Sequence, residues 1–213
     1  MRGRFVTLEG GEGTGKSTVL PGLARRIEGL GLLVRVTREP GGSPLGERIR
    51  SLVVEPSDDP PCPVAELLLY AADRAHHVDR VIRPALEAGC VVLCDRYADA
   101  TEAYQGWGRG LPLDHVRRLN DLATGGVWPQ RTVVLDLDPR EGLRRSWARH
   151  GGPGAAGEVR FEREALEFHR RVRQGYLEIA RREPERVRVV DASGSPEQVL
   201  DRAWAAVADL FGG

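Results

Sequence analysis

Lysine is all but absent from this chain. Of its 31 basic residues only Lys16 is a lysine; the rest are arginine. Net charge is absent as well, because 31 acidic residues balance the basic ones. That balance removes any global attraction to nucleic acid or to an anionic membrane surface, and neither is expected as a partner. No run of eighteen apolar residues occurs, so no segment reads as a membrane-spanning helix. Cysteines number 3 (Cys62, Cys90 and Cys94), and they form no CxxC pair. An odd count with no signal peptide points to a reducing, cytoplasmic setting and excludes a disulfide framework. Cys90 and Cys94 read as packing on a strand. Internal repeats and low-complexity tracts are also missing.

What remains is ordinary for a globular protein with a full core, at 41% apolar and 29% charged residues. A length of 213 residues suits a single domain with a small mobile insert.

The organising stretch is Gly10-Gly11-Glu12-Gly13-Thr14-Gly15-Lys16-Ser17-Thr18, which fits the GxxxxGK[ST] pattern. Its glycines let the backbone turn its N–H groups onto phosphate oxygens. Lys16 can reach the outer phosphates, Ser17 can ligate Mg²⁺, and the helix that follows offers its positive end. A chance match in a glycine-rich chain would lack the right flanks. Here a buried strand precedes the loop (Phe5 to Leu8), and an amphipathic helix follows it over 17–30 with Leu20, Leu23, Ala24 and Ile27 on one face. The one lysine also stands where a slim ammonium fits between phosphates and a planar guanidinium does not.

Further apolar runs predict strands at Leu33 to Thr37, Val91 to Cys94, Thr132 to Leu137 and Val187 to Val190, alternating with helices. The helices fall at Pro44 to Val54, Val64 to Ala88 (kinked or divided near Pro84), Leu113 to Ala123, Pro139 to Arg149, a long one from Phe161 to Ile179, and Pro196 to Leu210. Alternation of this kind gives an α/β fold, a five-stranded parallel sheet covered on both faces. The stretch 150–157 is too rich in glycine to hold regular structure and reads as a mobile lid flanked by Arg149 and Arg160. Arg170-Arg171 and Arg181-Arg182 read as solvated helix faces.

Asp95, at the end of an apolar strand, is either a Mg²⁺ ligand or a helix N-cap. Tyr70 and Arg74, four apart, share a helix face; spacing alone reads them as a core-edge tyrosine and a surface arginine. A phosphate loop leaves the acceptor open: water, a hydroxyl or a phosphate. Arginine placement favours phosphate, because two anions must meet and need cations beyond Lys16 and Mg²⁺. Arg50 and Arg96 suit the acceptor's phosphate, and the lid arginines the transferring group. A nucleotide-driven switch, the reading from another class, has no use for a second anion site.

The ordered set Thr7 to Thr18, Thr37-Arg38-Glu39-Pro40-Gly41-Gly42, Leu68 to Arg74, Asp95-Arg96-Tyr97, Ala103-Tyr104-Gln105-Gly106, Arg160-Phe161-Glu162, Phe168-His169 and Gly175-Tyr176 resembles the bacterial thymidylate kinases over nearly the whole chain. The resemblance implies a P-loop, nucleoside monophosphate kinase fold in one domain, with a lid at about 146–162. It implies transfer from ATP to dTMP with Mg²⁺ held by Ser17 and Asp95. A related kinase acting on another nucleoside monophosphate or a deoxynucleoside is the alternative.

By resemblance, Gly10 to Thr18 bind ATP. Lys16, Arg96, Arg149, Arg160 and Glu12 form the catalytic set, with Glu12 near the acceptor's sugar and phosphate. Arg50 and Arg96 grip that phosphate, Tyr70 stacks on the base and Arg74 bonds its exocyclic oxygen. Thr101 and Gln105 read the base edge, Tyr104 crowds the 2′ position, and Glu39 completes the acceptor site. Gly13, small inside the loop, assigns the catalytic arginine to the lid. The family also implies a homodimer packed on the stripe from Leu67 to Ile82. Tyr70 replaces the usual Phe, Ala100 a serine and Val159 an aspartate.

Overall fold

The computed structural model describes residues 3–150 and 160–212. Five strands form one parallel sheet: β1 (Arg4–Glu9), β2 (Val34–Arg38), β3 (Val91–Asp95), β4 (Arg131–Asp136) and β5 (Val187–Asp191), in the order β2-β3-β1-β4-β5. The central strands are buried on both sides. In β1, Val6 and Leu8 face one core and Phe5 the opposite one, as the period of two requires. Such strands read as continuous apolar runs, which is why the sequence reveals them.

Helix α1 (Lys16–Glu28) and helix α9 (Pro196–Ala205) cover one face; Leu23 and Ile27 of α1 are buried against Val199 and Ala203 of α9. Truncating either large aliphatic side chain would cost about 2–5 kcal/mol. The other face carries α3 (Pro63–His77), which runs through a wide turn at Val78–Ile82 into α4 (Arg83–Glu87), and also α8 (Leu166–Arg182). The break in this long helical run sits just before Pro84. The remaining helices are α2 (Pro44–Val54), α5 (Ala98–Thr101), α6 (Leu113–Thr124) and α7 (Pro139–His150).

Three expectations change. Phe161 lies outside the long helix: a 3₁₀ turn spans Arg160–Arg163, Ala165 is extended, and α8 begins at Leu166. The segment after β3 forms α5 and then a wide helical turn over Glu102–Gly108. It is buried almost all round and so shows no amphipathic period. Arg182 lies on an exposed helix face, as expected, and from there also reaches the buried Glu102 at 2.6 Å. Finally, Leu67, Ala71, Val78 and Ile82 are buried within the chain, leaving most of the stripe proposed for dimer contact in the core.

Candidate active site

The sheet's register gathers the site. Leu8 and Arg38 both pair with Asp95, so the segments leaving β1, β2 and β3 emerge side by side at the carboxyl edge. Ligands bind at that edge in open α/β sheets. The loop after β1 turns through positive φ at Gly10 (135°), Gly13 (67°) and Gly15 (94°), and α1 starts immediately behind it with no side chain capping its first N–H groups. Those donors are left facing the loop's hollow. Lys16 is buried, and its Nζ donates to the carbonyls of Gly10 and Gly11, each at 3.0 Å. Burial, together with Arg96 nearby, draws its pKa down from 10.5 to about 8. Gly13 packs against α7 so closely that an added Cβ would lie 1.8 Å from the Gly142 carbonyl oxygen. No side chain fits there.

Arg96 takes φ 68°, rare for a residue with a side chain, and this aims its guanidinium back at the loop. It donates to the Gly10 carbonyl (3.0 Å), the Tyr176 hydroxyl (3.3 Å) and Glu12 Oε1 (2.9 Å), and stacks 4.8 Å from the Tyr104 ring centre. The Tyr104 hydroxyl donates to the same Glu12 oxygen at 2.8 Å. Burial opposes a charge on Glu12, but Arg96, Lys16 and Tyr104 together outweigh it and hold its pKa at about 2. Glu12 is therefore held as an anion against Arg96.

Glu9, which no motif singles out, lies beneath them. It accepts from the Tyr97 backbone N–H (2.7 Å) and the Tyr176 hydroxyl (2.9 Å), and burial with Asp99 nearby pushes its pKa up to about 8. A carboxylate ending a buried strand in a glycine-rich context was the available signal.

One cleft joins this loop to the acceptor-side residues: its walls include Gly13 to Ser17, Glu39, Arg50, Tyr70, Arg74, Asp95, Arg96, Thr101, Tyr104, Gln105 and Arg149. Thr18 follows Ser17 in α1 and is not part of the wall. Arg74, far from being a surface arginine, is 1% exposed. It donates to Glu39 (2.9 Å), Asn120 (2.8 Å), the Tyr97 carbonyl (3.0 Å) and Thr101 (2.9 Å). Glu39 also meets His77 at 2.8 Å.

Arg50 bonds the Pro40 carbonyl at 3.1 Å and forms no ion pair among the described residues, so its charge is open to the cleft. Asp95 is no helix cap, since α5 begins behind Tyr97. Its Oδ1 is buried with no hydrogen-bond partner among the described residues, in the same cleft as Ser17. Two hard oxygen donors, one an orphaned carboxylate, fit a magnesium ion.

The two lid arginines part company. Arg149 lines the cleft and bonds Ser146 at 3.1 Å, whereas Arg160 is tied to the Val53 carbonyl (3.0 Å) and to buried Glu66, outside the cleft wall. The glycine-rich part of the lid, with Val159, lies outside the described residues.

A parallel sheet with a phosphate loop after its first strand, and a second cationic cluster across one cleft, defines the P-loop nucleoside monophosphate kinase class. A family model described as thymidylate kinase matches residues 8–203. The chain belongs to the thymidylate kinase family. It is 51% identical over 207 residues to a thymidylate kinase of Syntrophotalea carbinolica, covering 97% of this chain and 96% of that one. A thymidylate kinase of Deinococcus radiodurans is 50% identical over 208 residues, with 98% of each chain covered. Among solved structures, thymidylate kinase from Ehrlichia chaffeensis superposes with a TM-score of 0.70 at 33% identity, over 89% of this chain and 93% of that one.

Proposed function

We propose that the chain transfers the γ-phosphoryl group of ATP to dTMP, giving dTDP, with catalysis by position and charge. The observation that carries this is the single cleft in which the phosphate loop faces Arg50, Arg96, Tyr70 and Arg74. The loop's N–H groups and Lys16 hold the donor's outer phosphates. Ser17 and Asp95 would hold Mg²⁺, which neutralises charge on those phosphates.

Arg96, braced by Glu12, and Arg50 take the acceptor's phosphate. That phosphate is already deprotonated at neutral pH, so the reaction asks for no strong base, in keeping with a Glu12 pinned as an anion. Tyr70, whose ionisation burial disfavours, presents its ring to the base, with Arg74, Thr101 and Gln105 along the base edge and Glu39 bracing Arg74. Tyr104, locked onto Glu12, crowds the sugar. Arg149 is the catalytic arginine; Arg160 serves the closed state from its station on Glu66.

The lid at about 146–162 and its parent form one domain, working in the cytoplasm. The protein is a homodimer whose contact uses the exposed apolar residues Val64 and Leu68 of α3 with Leu45 and Leu52 of α2.

The test is an ADP-release assay over a panel of nucleoside monophosphates. The expected result is a kcat/KM for dTMP at least tenfold above those for dCMP and AMP. Equal turnover of dCMP or AMP, or ADP release without an acceptor, would refute the assignment.

A further inference from the structure

Glu66 lies on α3 one turn before Tyr70 and is 0% exposed. Its carboxylate accepts from Gln105 Nε2 at 2.8 Å, from Arg109 Nε and Nη2 at 3.2 Å each, and from Arg160. A carboxylate gripped by two guanidiniums can only accept hydrogen bonds. The end of the Gln105 amide that meets it must therefore be the NH₂, whichever way the side chain is assigned. Gln105 Oε1 is turned to the other side. It has no donor among the described residues, although Gln105 is 1% exposed and lines the cleft.

Nearby, Arg74 uses four N–H groups on Glu39, Asn120, the Tyr97 carbonyl and Thr101. A guanidinium has five, so one N–H on Nη1 remains. Both residues line the cleft, which therefore has in its wall an amide oxygen without a donor and a guanidinium with one N–H unused.

We propose that Glu66 is a positioning residue for base choice. By holding the Gln105 amide with its oxygen toward the cleft, it makes the site complementary to a pyrimidine that carries a hydrogen on N3. It sets the site against cytosine, whose N3 is a bare acceptor. A free amide could rotate by half a turn and serve either ring; one clamped by a buried anion cannot. The inference rests on the nucleotide-kinase reading above.

The experiment measures kcat/KM for dTMP, dCMP and dUMP in wild type and in Glu66→Gln, whose own amide can present either end to Gln105. The dTMP:dCMP ratio is expected to fall at least tenfold. The dTMP:dUMP ratio should stay within threefold, because both of those bases carry the N3 hydrogen. A purely structural role for Glu66 would lower all three substrates together and leave both ratios unchanged, and that outcome overturns the proposal.

If Glu66→Gln does not fold, Glu66→Asp supplies the same reading: it keeps the charge for Arg109 and Arg160 while drawing the oxygens back from Gln105. Failure of the wild type to phosphorylate dTMP would sink the functional reading and this inference with it. Robust dTMP turnover with unchanged ratios in the variant would sink this inference alone.

Discussion

Lys16→Met is expected to separate stability from catalysis. The ammonium is buried, and its pKa falls from 10.5 to about 8, mainly through desolvation and then through Arg96. At about 1.4 kcal/mol per unit, keeping it charged at pH 7 costs the fold about 3 kcal/mol. Its two carbonyl contacts return about 0.5–1.5 kcal/mol each. Both carbonyls also have other donors: Gly10 receives Arg96 at 3.0 Å and Gly11 receives the Thr14 hydroxyl at 3.1 Å. Removing the charge with a side chain of similar length should therefore stabilise the nucleotide-free protein by about 1 kcal/mol, or about 2–4 °C in Tm for a chain of this size.

The sign with pH follows. A lysine with a depressed native pKa loses its proton earlier in the folded state, so between pH 8 and 10.5 the unfolded chain binds more protons and wild-type stability rises with pH. The variant's advantage should be largest below pH 8, vanish about one pH unit above that, and reverse towards 10.5, where the wild type has recovered the whole cost of its charge. Turnover should drop about a thousandfold, as for loss of a charged transition-state donor. Calorimetry across pH 7 to 10, with an ADP-coupled assay at pH 7.5, tests all three. A variant that melts below wild type at pH 7, a gap that does not change with pH, or near-normal turnover would refute the reasoning.

Arg149→Met should lower kcat at least a hundredfold with little change in KM for dTMP, while Arg160→Met should lower kcat less and raise KM; steady-state kinetics with the reverse order would move the catalytic role to Arg160. Glu9→Gln should keep the fold, because an amide can accept from the Tyr97 N–H and still meet the Tyr176 hydroxyl. Since Glu9 has its native pKa raised to about 8, the folded state binds more protons than the unfolded between pH 4.5 and 8, and wild-type stability falls as pH rises through that range. Urea melts should show the fall flattened in the variant, and an unchanged slope would remove Glu9 from the account.

The sheet and the phosphate loop were legible because each is a local pattern: apolar runs of strand length, and glycines at fixed spacing before a lysine. The cleft's buried charges were not. Arg74 looks like a surface arginine until Glu39, Asn120 and Thr101 arrive from β2's end, α6 and α5, and no spacing within α3 announces them. Glu66 reads as one more helix-face acid, since its partners Gln105, Arg109 and Arg160 lie 39, 43 and 94 residues away. Phe161 continued the three-four period of α8 by coincidence. It is buried in a 3₁₀ turn against Tyr104, at 5.4 Å between ring centres, and periodicity cannot tell those two burials apart. The helical stretch after Ala98 failed for the opposite reason, being wrapped on nearly all sides.

Having one lysine gives this protein an unusual chemical handle. Acylating reagents that normally scatter over a dozen surface amines find a single ε-amine here, seated where the outer phosphates of a nucleotide would lie and already less basic than usual. Labelling of that ε-amine and loss of activity should then run in step, and a bound nucleotide should shield both together.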